Sequence, residues 1–267
     1  MLSAVRGLLL DLDGVVTVGG APLPGALAAI ERLRRANMPL RFVTNTTTRP
    51  RRRLIAELAG IGLELDPADL FTPARLARDA LAAAGKRPFL LIHPDLAEDF
   101  AGLDPGEDAV VIGDARDAFS YSSLNRAFRL IHGGADFLAL ARNRNFLDAD
   151  GKLSLDLGGF VAALEYASET PAQVFGKPCA DFFLGAVRAM GVAPHRAAMI
   201  GDDAEADVGG ALAAGLAGIL VRTGKYRPGQ ESRLDPPPTL IADDLAQAVD
   251  LVLAQTSDSR PSGETAR

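Results

Sequence analysis

Cysteine and histidine are scarce in this 267-residue chain, and each scarcity excludes a class of site. The one cysteine, Cys179, excludes an internal disulfide framework and any metal site built from several thiolates. The three histidines, His93, His132 and His195, lie far apart and lack the spacing that is typical of zinc ligands. A metal ion in this protein would therefore be bound by oxygen ligands.

An excess of basic residues is also missing. The chain has 28 basic and 34 acidic residues, a net charge of -6 and an isoelectric point near 5.2, which excludes general nucleic-acid binding. The apolar stretch Leu8–Leu10 stops at Asp11, so it is too short for a signal peptide or a membrane span. We therefore expect a soluble, cytoplasmic protein without a membrane partner.

Short apolar runs alternate with segments of helical periodicity along much of the chain. The predicted strands are Gly7–Leu10, Pro39–Val43, Gln173–Phe175, Ala197–Ile200 and Ala217–Val221, and the predicted helices are Gly25–Ala36, Arg51–Leu58, Cys179–Met190 and Ala204–Ala214. This alternation predicts an α/β fold with a Rossmann-like, doubly wound parallel sheet. Ligands of such sheets bind beyond the carboxyl ends of the strands.

The middle of the chain has no reactive group of residues at its predicted strand ends. Strand-like runs occur at Pro88–His93, Ala109–Ile112 and Asp136–Ala141, and a helix is predicted around Ser123–Ile131. We interpret residues 78–170 as an inserted, smaller α/β cap domain. The catalytic core would then comprise residues 1–77 and 171–255, followed by a flexible tail at 256–267.

Polar side chains stand directly after four of the predicted strands. In chain order they are Asp11-Leu12-Asp13-Gly14, Thr44-Asn45, Lys177-Pro178 and Gly201-Asp202-Asp203, with Asp207 one helical turn later. Each of these alone has an ordinary interpretation as a turn, a helix cap or a surface residue. Neighbouring carboxylates repel each other unless a cation or a lysine lies among them. The four groups together, in this order, are far more specific than any one of them.

These motifs resemble those of the haloacid dehalogenase-like (HAD) phosphohydrolases over nearly the whole chain. The long insertion between Thr44 and Lys177 resembles the subgroup with a large α/β cap domain at this point. The segments Phe42–Thr47 and Thr223–Arg227 are most similar to a branch that acts on phospholysine, phosphohistidine and inorganic pyrophosphate. The resemblance implies a phosphatase for a small phosphorylated substrate.

The resemblance also implies roles for the acidic residues. Asp11 would attack phosphorus and form an aspartyl-phosphate, while Asp13 would protonate the leaving group and then activate water. Mg²⁺ prefers oxygen ligands and would neutralise both the carboxylates and the phosphoryl group. Its ligands would be Asp11, Asp202 and the main-chain carbonyl of Asp13.

The same resemblance assigns the phosphoryl oxygens to Thr44, the neighbouring Asn45 amide and Lys177. Lys177 would in addition hold the carboxylates together. Asp203 and Asp207 would lie behind the ligands and orient Lys177 or the water molecules on the metal.

The substrate and the number of subunits stay open at this point. Inorganic pyrophosphate, phosphoamino compounds and small sugar or nucleotide monophosphates all fit, and Gly113–Ser120 and Arg142–Asn145 are predicted to contact the substrate. The cap domain is expected to support a homodimer. Two other functions are also open: a signalling receiver that stores phosphate on an aspartate, and a relative that binds phosphate without turnover.

A run of arginines at the start of a predicted helix has two interpretations. Arg49 and Arg51–Arg53 stand where the helix dipole disfavours cations. We interpret them as a solvated basic face. The alternative is a surface that attracts anionic substrates or contacts a second subunit.

Overall fold

The computed structural model describes residues 2–147 and 152–257. Its strands are β1 (Gly7–Asp11), β2 (Thr17–Val18), β3 (Ala21–Pro22), β4 (Leu40–Val43), β5 (Leu70–Phe71), β6 (Pro88–Leu91), β7 (Ala109–Ile112), β8 (Asp136–Ala139), β9 (Asn145–Leu147), β10 (Leu153–Leu155), β11 (Gln173–Val174), β12 (Ala197–Gly201), β13 (Ala217–Val221) and β14 (Leu240–Ala242). Its α-helices are α1 (Ala26–Arg35), α2 (Arg51–Gly60), α3 (Pro73–Ala84), α4 (Tyr121–His132), α5 (Leu157–Ser168), α6 (Ala180–Ala189), α7 (Gly210–Ala213) and α8 (Leu245–Ser257).

The predicted C-terminal tail and the expected absence of a membrane span can be compared with the described residues only. Of the tail predicted at 256–267, the first two residues end α8, and 258–267 lie outside the described residues. Among the helices of the described ranges, none has both the length and the apolar character needed to cross a bilayer.

The chain divides into two compact units. The first comprises Met1–Val43, Leu58–Asp69 and Phe183–Arg267. The second comprises Thr44–Glu57 and Leu70–Phe182, and the predicted cap domain at 78–170 lies within it.

A parallel sheet forms the centre of the first unit. Its strand order is β14-β13-β12-β1-β4, and every neighbouring pair is parallel. The side chains of Leu8, Leu9 and Leu10 in β1 are completely buried, as expected for a parallel strand that is covered on both faces. The predicted α/β fold with a parallel sheet is therefore confirmed. Because β1 lies between β4 and β12, the strand order reverses at β1, and such a switch point is where ligands bind.

Two amphipathic helices of the first unit, α1 and α8, pack against each other. Each buries residues at the i, i+3, i+4 and i+7 positions of one face. These residues are Ala26, Ala29, Ile30 and Leu33 in α1, and Leu245, Ala248, Val249 and Val252 in α8.

The second unit has its own sheet and its own core. The strand order is β11-β8-β7-β6, again with parallel pairs, and β9 and β10 form a separate antiparallel pair. The strand predicted at Gln173–Phe175 is present, but it pairs with β8 and is not a strand of the β1 sheet. The expectation that it belongs with the catalytic strands is therefore wrong. Periodicity identifies a strand, whereas its neighbour is chosen by tertiary contacts.

The arginines at the start of α2 are paired with carboxylates of the second unit. Arg49 and Arg53 each approach Glu57 to 2.9 Å, and Arg52 approaches Glu98 to 3.3 Å. The side chains of Arg52 and Arg53 are more than half exposed. The solvated face is thus present, but its positive charge is partly neutralised by Glu57, which lies one helical turn after Arg53, and by Glu98, which is distant in the sequence.

Candidate active site

Three buried carboxylates converge in the first unit, at the carboxyl ends of two neighbouring strands. Asp11 ends β1, Asp202 directly follows β12, and Asp207 lies in the π-helical segment Ala204–Gly209. One carboxylate oxygen from each residue lies within 4.8 Å of the other two. The residues are 6%, 1% and 0% exposed. Such close, buried carboxylates require a compensating cation, and their oxygen atoms are the ligands that Mg²⁺ prefers.

The segment after β12 holds Asp207 in this group. Oδ2 of Asp207 accepts a hydrogen bond from the backbone N–H of Asp203 at 3.1 Å. Oδ1 of Asp203 in turn accepts the N–H groups of Glu205 (3.0 Å) and Ala206 (2.9 Å), so Asp203 is the N-cap of the helical segment. This capping bond was not anticipated from the sequence.

Asp13 differs from the three buried acids because its side chain is exposed. It lies in the turn that follows β1, where the N–H of Gly14 donates to the carbonyl of Thr17 at 2.6 Å. The carboxylate of Asp13, two residues beyond Asp11, is therefore accessible to solvent.

The loop after β13 encloses Asp202. In the sequence, this loop stands out only through the family resemblance of Thr223–Arg227. The backbone N–H of Lys225 donates to Oδ2 of Asp202 at 2.6 Å, and the Gln230 amide donates to the Asp202 carbonyl at 3.3 Å. The Thr223 hydroxyl donates to the carbonyl of Gly14. The sequence position of this loop does indicate a place near the site. The loop follows β13, which neighbours β12 in the parallel sheet, so the carboxyl ends of both strands lie at the same edge.

The predicted phosphate-binding residues belong to the second unit. Thr44 is 2% exposed, and its hydroxyl accepts the N–H of Thr46 at 3.1 Å. The structure brings Asn45 and Lys177 together: Asn45 Oδ1 accepts the Lys177 N–H, and Asn45 Nδ2 donates to the Lys177 carbonyl, both at 2.8 Å. Lys177 itself is 4% exposed. The side chain of Asn45 therefore fixes the backbone that carries the lysine.

Arg116, in the predicted substrate-contacting segment Gly113–Ser120, contacts the residue that directly follows the other such segment, Arg142–Asn145. The guanidinium of Arg116 lies 4.6 Å from the ring centroid of Phe146 and 3.1 Å from the carboxylate of Asp114. The backbone of Arg116 has a φ of 49°, a conformation that non-glycine residues seldom adopt. This arginine is therefore held in place by its own loop and by the strand β9.

Comparison with known proteins gives consistent matches. A haloacid dehalogenase-like hydrolase model matches residues 8–104, and a HAD-hydrolase-like model matches residues 174–248. Haloacid dehalogenase-like hydrolase domain-containing protein 2 of Homo sapiens is 43% identical over 251 residues, covering 94% of this chain and 96% of that protein. The phospholysine phosphohistidine inorganic pyrophosphate phosphatase of Rattus norvegicus is 41% identical over 259 residues, with the same two coverages.

Solved phosphatase structures have the same fold. The 4-nitrophenylphosphatase of Thermotoga maritima aligns with a TM-score of 0.86 at 26% identity, covering 94% of this chain and 98% of that one. The glycerol phosphate phosphatase of Mycobacterium tuberculosis, solved in complex with magnesium, aligns with a TM-score of 0.81 at 30% identity, covering 92% and 77%. The family resemblance predicted from the motifs is confirmed, and the chain belongs to the haloacid dehalogenase-like hydrolase family.

Proposed function

We propose that this protein is a Mg²⁺-dependent phosphatase that hydrolyses a small phosphorylated compound through an aspartyl-phosphate on Asp11. The observation that carries the proposal is the group of buried carboxylates, Asp11, Asp202 and Asp207, with oxygens within 4.8 Å of one another. All donors in the group are oxygens, which suits a hard divalent cation. The similar glycerol phosphate phosphatase contains magnesium.

The metal ligands in this proposal are Asp11, Asp202 and the main-chain carbonyl of Asp13. Asp207 would orient water on the metal, and Asp203 would act behind it through the hydrogen bond that it makes to Asp207. When bound, Mg²⁺ supplies positive charge that offsets the carboxylates and the phosphoryl oxygens.

The chemistry then requires two acids in different surroundings. A carboxylate oxygen of Asp11 forms a bond to phosphorus while the bond to the leaving-group oxygen breaks, and Asp13 gives that oxygen its proton. Asp13 next takes a proton from water, whose oxygen attacks phosphorus and releases Asp11 and inorganic phosphate. The burial of Asp11 and the exposure of Asp13 support this division of roles.

Three groups would bind the phosphoryl oxygens in this proposal: Thr44, the Asn45 amide and the side chain of Lys177. Support comes from the family motifs, in which a hydroxyl residue and a lysine follow strands of the fold. The pair of hydrogen bonds from Asn45 gives the lysine a defined position along the backbone.

Hydrolysis of p-nitrophenyl phosphate tests the proposal. We expect activity with Mg²⁺, loss of activity with EDTA, and recovery when Mg²⁺ is restored. The Asp11→Asn and Asp11→Ala variants should be inactive, and an active variant would refute the mechanism. A long-lived phosphoprotein without release of phosphate would instead indicate a phosphoacceptor.

The substrate, the assembly and the location are further parts of the proposal. The names of the similar proteins put phospholysine, phosphohistidine and inorganic pyrophosphate first in a phosphate-release screen, followed by sugar and nucleotide monophosphates. We propose that residues 78–170 act as the cap domain and support a homodimer, which light scattering after size exclusion measures. A cytoplasmic location is proposed as well, and fractionation of cells tests it.

A further inference from the structure

The loop after β13 surrounds the side chain of Asp202 within the first unit. Lys225 donates its backbone N–H to Oδ2 of Asp202 at 2.6 Å. A backbone donor cannot rotate away as a side chain can, so this bond sets the orientation of the carboxylate plane. Asp202 is 1% exposed, and water therefore cannot substitute for the donor.

Two glycines approach the same oxygen from different loops. A Cβ on Gly224 would stand 2.0 Å from Oδ2 of Asp202, and a Cβ on Gly14 would stand 1.9 Å from it. Both glycines have positive φ, 55° and 91°. Any side chain at either position would displace the carboxylate. The close fit around Asp202 therefore requires a residue without a side chain at both positions.

Thr223 connects the two loops. Its hydroxyl donates to the carbonyl of Gly14, which lies in the turn after β1 and next to Asp13. The turn after β1 and the turn after β13 are therefore tied to each other on opposite sides of Asp202.

We propose that Thr223, Gly224 and the Lys225 amide are positioning residues, which hold the Asp202 carboxylate in the orientation that binds the divalent cation. The inference rests on the proposed function for the existence of the metal site, and it adds the groups that set its geometry. A loop with a merely structural role would alter stability without altering the affinity for Mg²⁺. A positioning role predicts that the affinity for Mg²⁺ falls, whether or not the stability changes.

The experiment measures Mg²⁺ affinity directly, by titration calorimetry on the full chain without substrate. Thr223→Val keeps the size of the side chain and removes its hydroxyl, and we expect its dissociation constant for Mg²⁺ to rise by about tenfold. Thr223→Ser keeps the donor and should stay within about twofold of the wild type. Equal affinity in the valine and serine variants would overturn the proposal.

A matched pair of glycine variants separates contact with Asp202 from backbone strain. Gly215 also has positive φ, 81°, but a Cβ there would meet no atom within 4 Å. Both Gly224→Ala and Gly215→Ala should lower the melting temperature, whereas only Gly224→Ala should weaken Mg²⁺ binding. If both variants bind Mg²⁺ equally, the inference fails; if Gly224→Ala does not fold, the threonine pair decides. A wild-type protein that does not bind Mg²⁺ would instead refute the metal site of the proposed function.

Discussion

The side chain of Asn45 makes two hydrogen bonds to the backbone of Lys177: it accepts the N–H and donates to the carbonyl, each at 2.8 Å. The two residues are 132 positions apart in the chain. The position of the buried lysine is therefore controlled by a residue that sequence motifs associate with phosphate binding. Asn45 has a structural task in addition to the role that the resemblance implies for its amide.

The first prediction concerns Asn45→Asp. An aspartate keeps the acceptor for the Lys177 N–H but places a negative oxygen against the Lys177 carbonyl, where Nδ2 donates in the wild type. We expect kcat for p-nitrophenyl phosphate to fall by about a hundredfold, the scale on which misplaced catalytic groups act. Steady-state kinetics at saturating Mg²⁺ measures the effect.

Asn125→Asp is the matched control for that prediction, because Asn125 lies in α4 and the same change of charge occurs there. It should leave kcat unchanged. Equal kcat in the Asn45→Asp variant and the control would show that the two hydrogen bonds between Asn45 and the Lys177 backbone do not affect turnover.

The carboxyl ends of β1 and β12 were predictable from the sequence, whereas the neighbour of β11 was not. Leu8–Leu10 is followed at once by Asp11, and β12 by Asp202, so apolar runs that stop at a carboxylate locate both residues at the edge of the parallel sheet. Nothing in the periodicity of Gln173–Phe175 says that this strand pairs with β8, because short strands carry no information about their partners.

The helices and loops that the sequence did not reveal have physical reasons of their own. Helix α3 begins at the N-cap Thr72 with Pro73 in its first turn. These two residues indicate a helix start only when the residues that follow also show the apolar spacing of a buried helix face. The Thr223–Lys225 turn acts on Asp202 through a backbone amide and through the absence of a Cβ. Neither contact involves a polar side chain of this turn, so the sequence singles out this segment only through the family resemblance and does not indicate its contact with Asp202.

The second prediction concerns Asp207→Asn. The amide oxygen can still accept the Asp203 N–H, while one negative charge leaves the group of carboxylates. We expect the melting temperature without Mg²⁺ to rise, because repulsion among the buried acids falls. Affinity for Mg²⁺ should fall by about tenfold in the same variant.

Glu205→Gln provides the control, since Glu205 is exposed on the same helical segment. It removes the same charge without changing the buried group. Thermal denaturation with and without Mg²⁺ compares the variants. A melting temperature of Asp207→Asn that does not rise in the absence of Mg²⁺, or that Mg²⁺ raises by as much as in the wild type, would contradict the explanation.

The third prediction concerns the pH dependence of stability at Asp108. Hydrogen bonds from the side chain and the backbone of Arg87 lower the pKa of Asp108 below its usual value. The folded state therefore prefers the ionised form, so the contribution to stability is present at neutral pH and is lost as the pH falls through the lowered pKa. Asp108→Asn should be less stable than the wild type near neutral pH, and the difference should disappear in acid.

Urea denaturation at a series of pH values measures that difference. A loss of stability in Asp108→Asn that is independent of pH would mean that lost packing, and not charge, is responsible.

The fourth prediction, at Asp99, has the opposite sign. Burial raises the pKa of Asp99, although its carboxylate accepts the backbone N–H of Arg51 at the start of α2. Because the folded state disfavours the ionised form, the wild type gains relative stability as the pH falls through the raised pKa of Asp99, and ionisation costs stability above it. Asp99→Asn keeps an acceptor for the Arg51 N–H and removes the charge. It should be more stable than the wild type near neutral pH by less than about 1 kcal/mol, since the carboxyl is only half buried and solvent screens it.

The pH series that is used for Asp108 also tests Asp99. The advantage of Asp99→Asn over the wild type should shrink as the pH falls towards the usual pKa of an aspartate, where both side chains are neutral. Arg51→Lys keeps the positive charge beside Asp99 and the backbone donor, so its profile should parallel that of the wild type. If Asp99→Asn is less stable than the wild type near neutral pH and this difference disappears in acid, the charge of the carboxylate stabilises the start of α2 through the helix dipole by more than its burial costs.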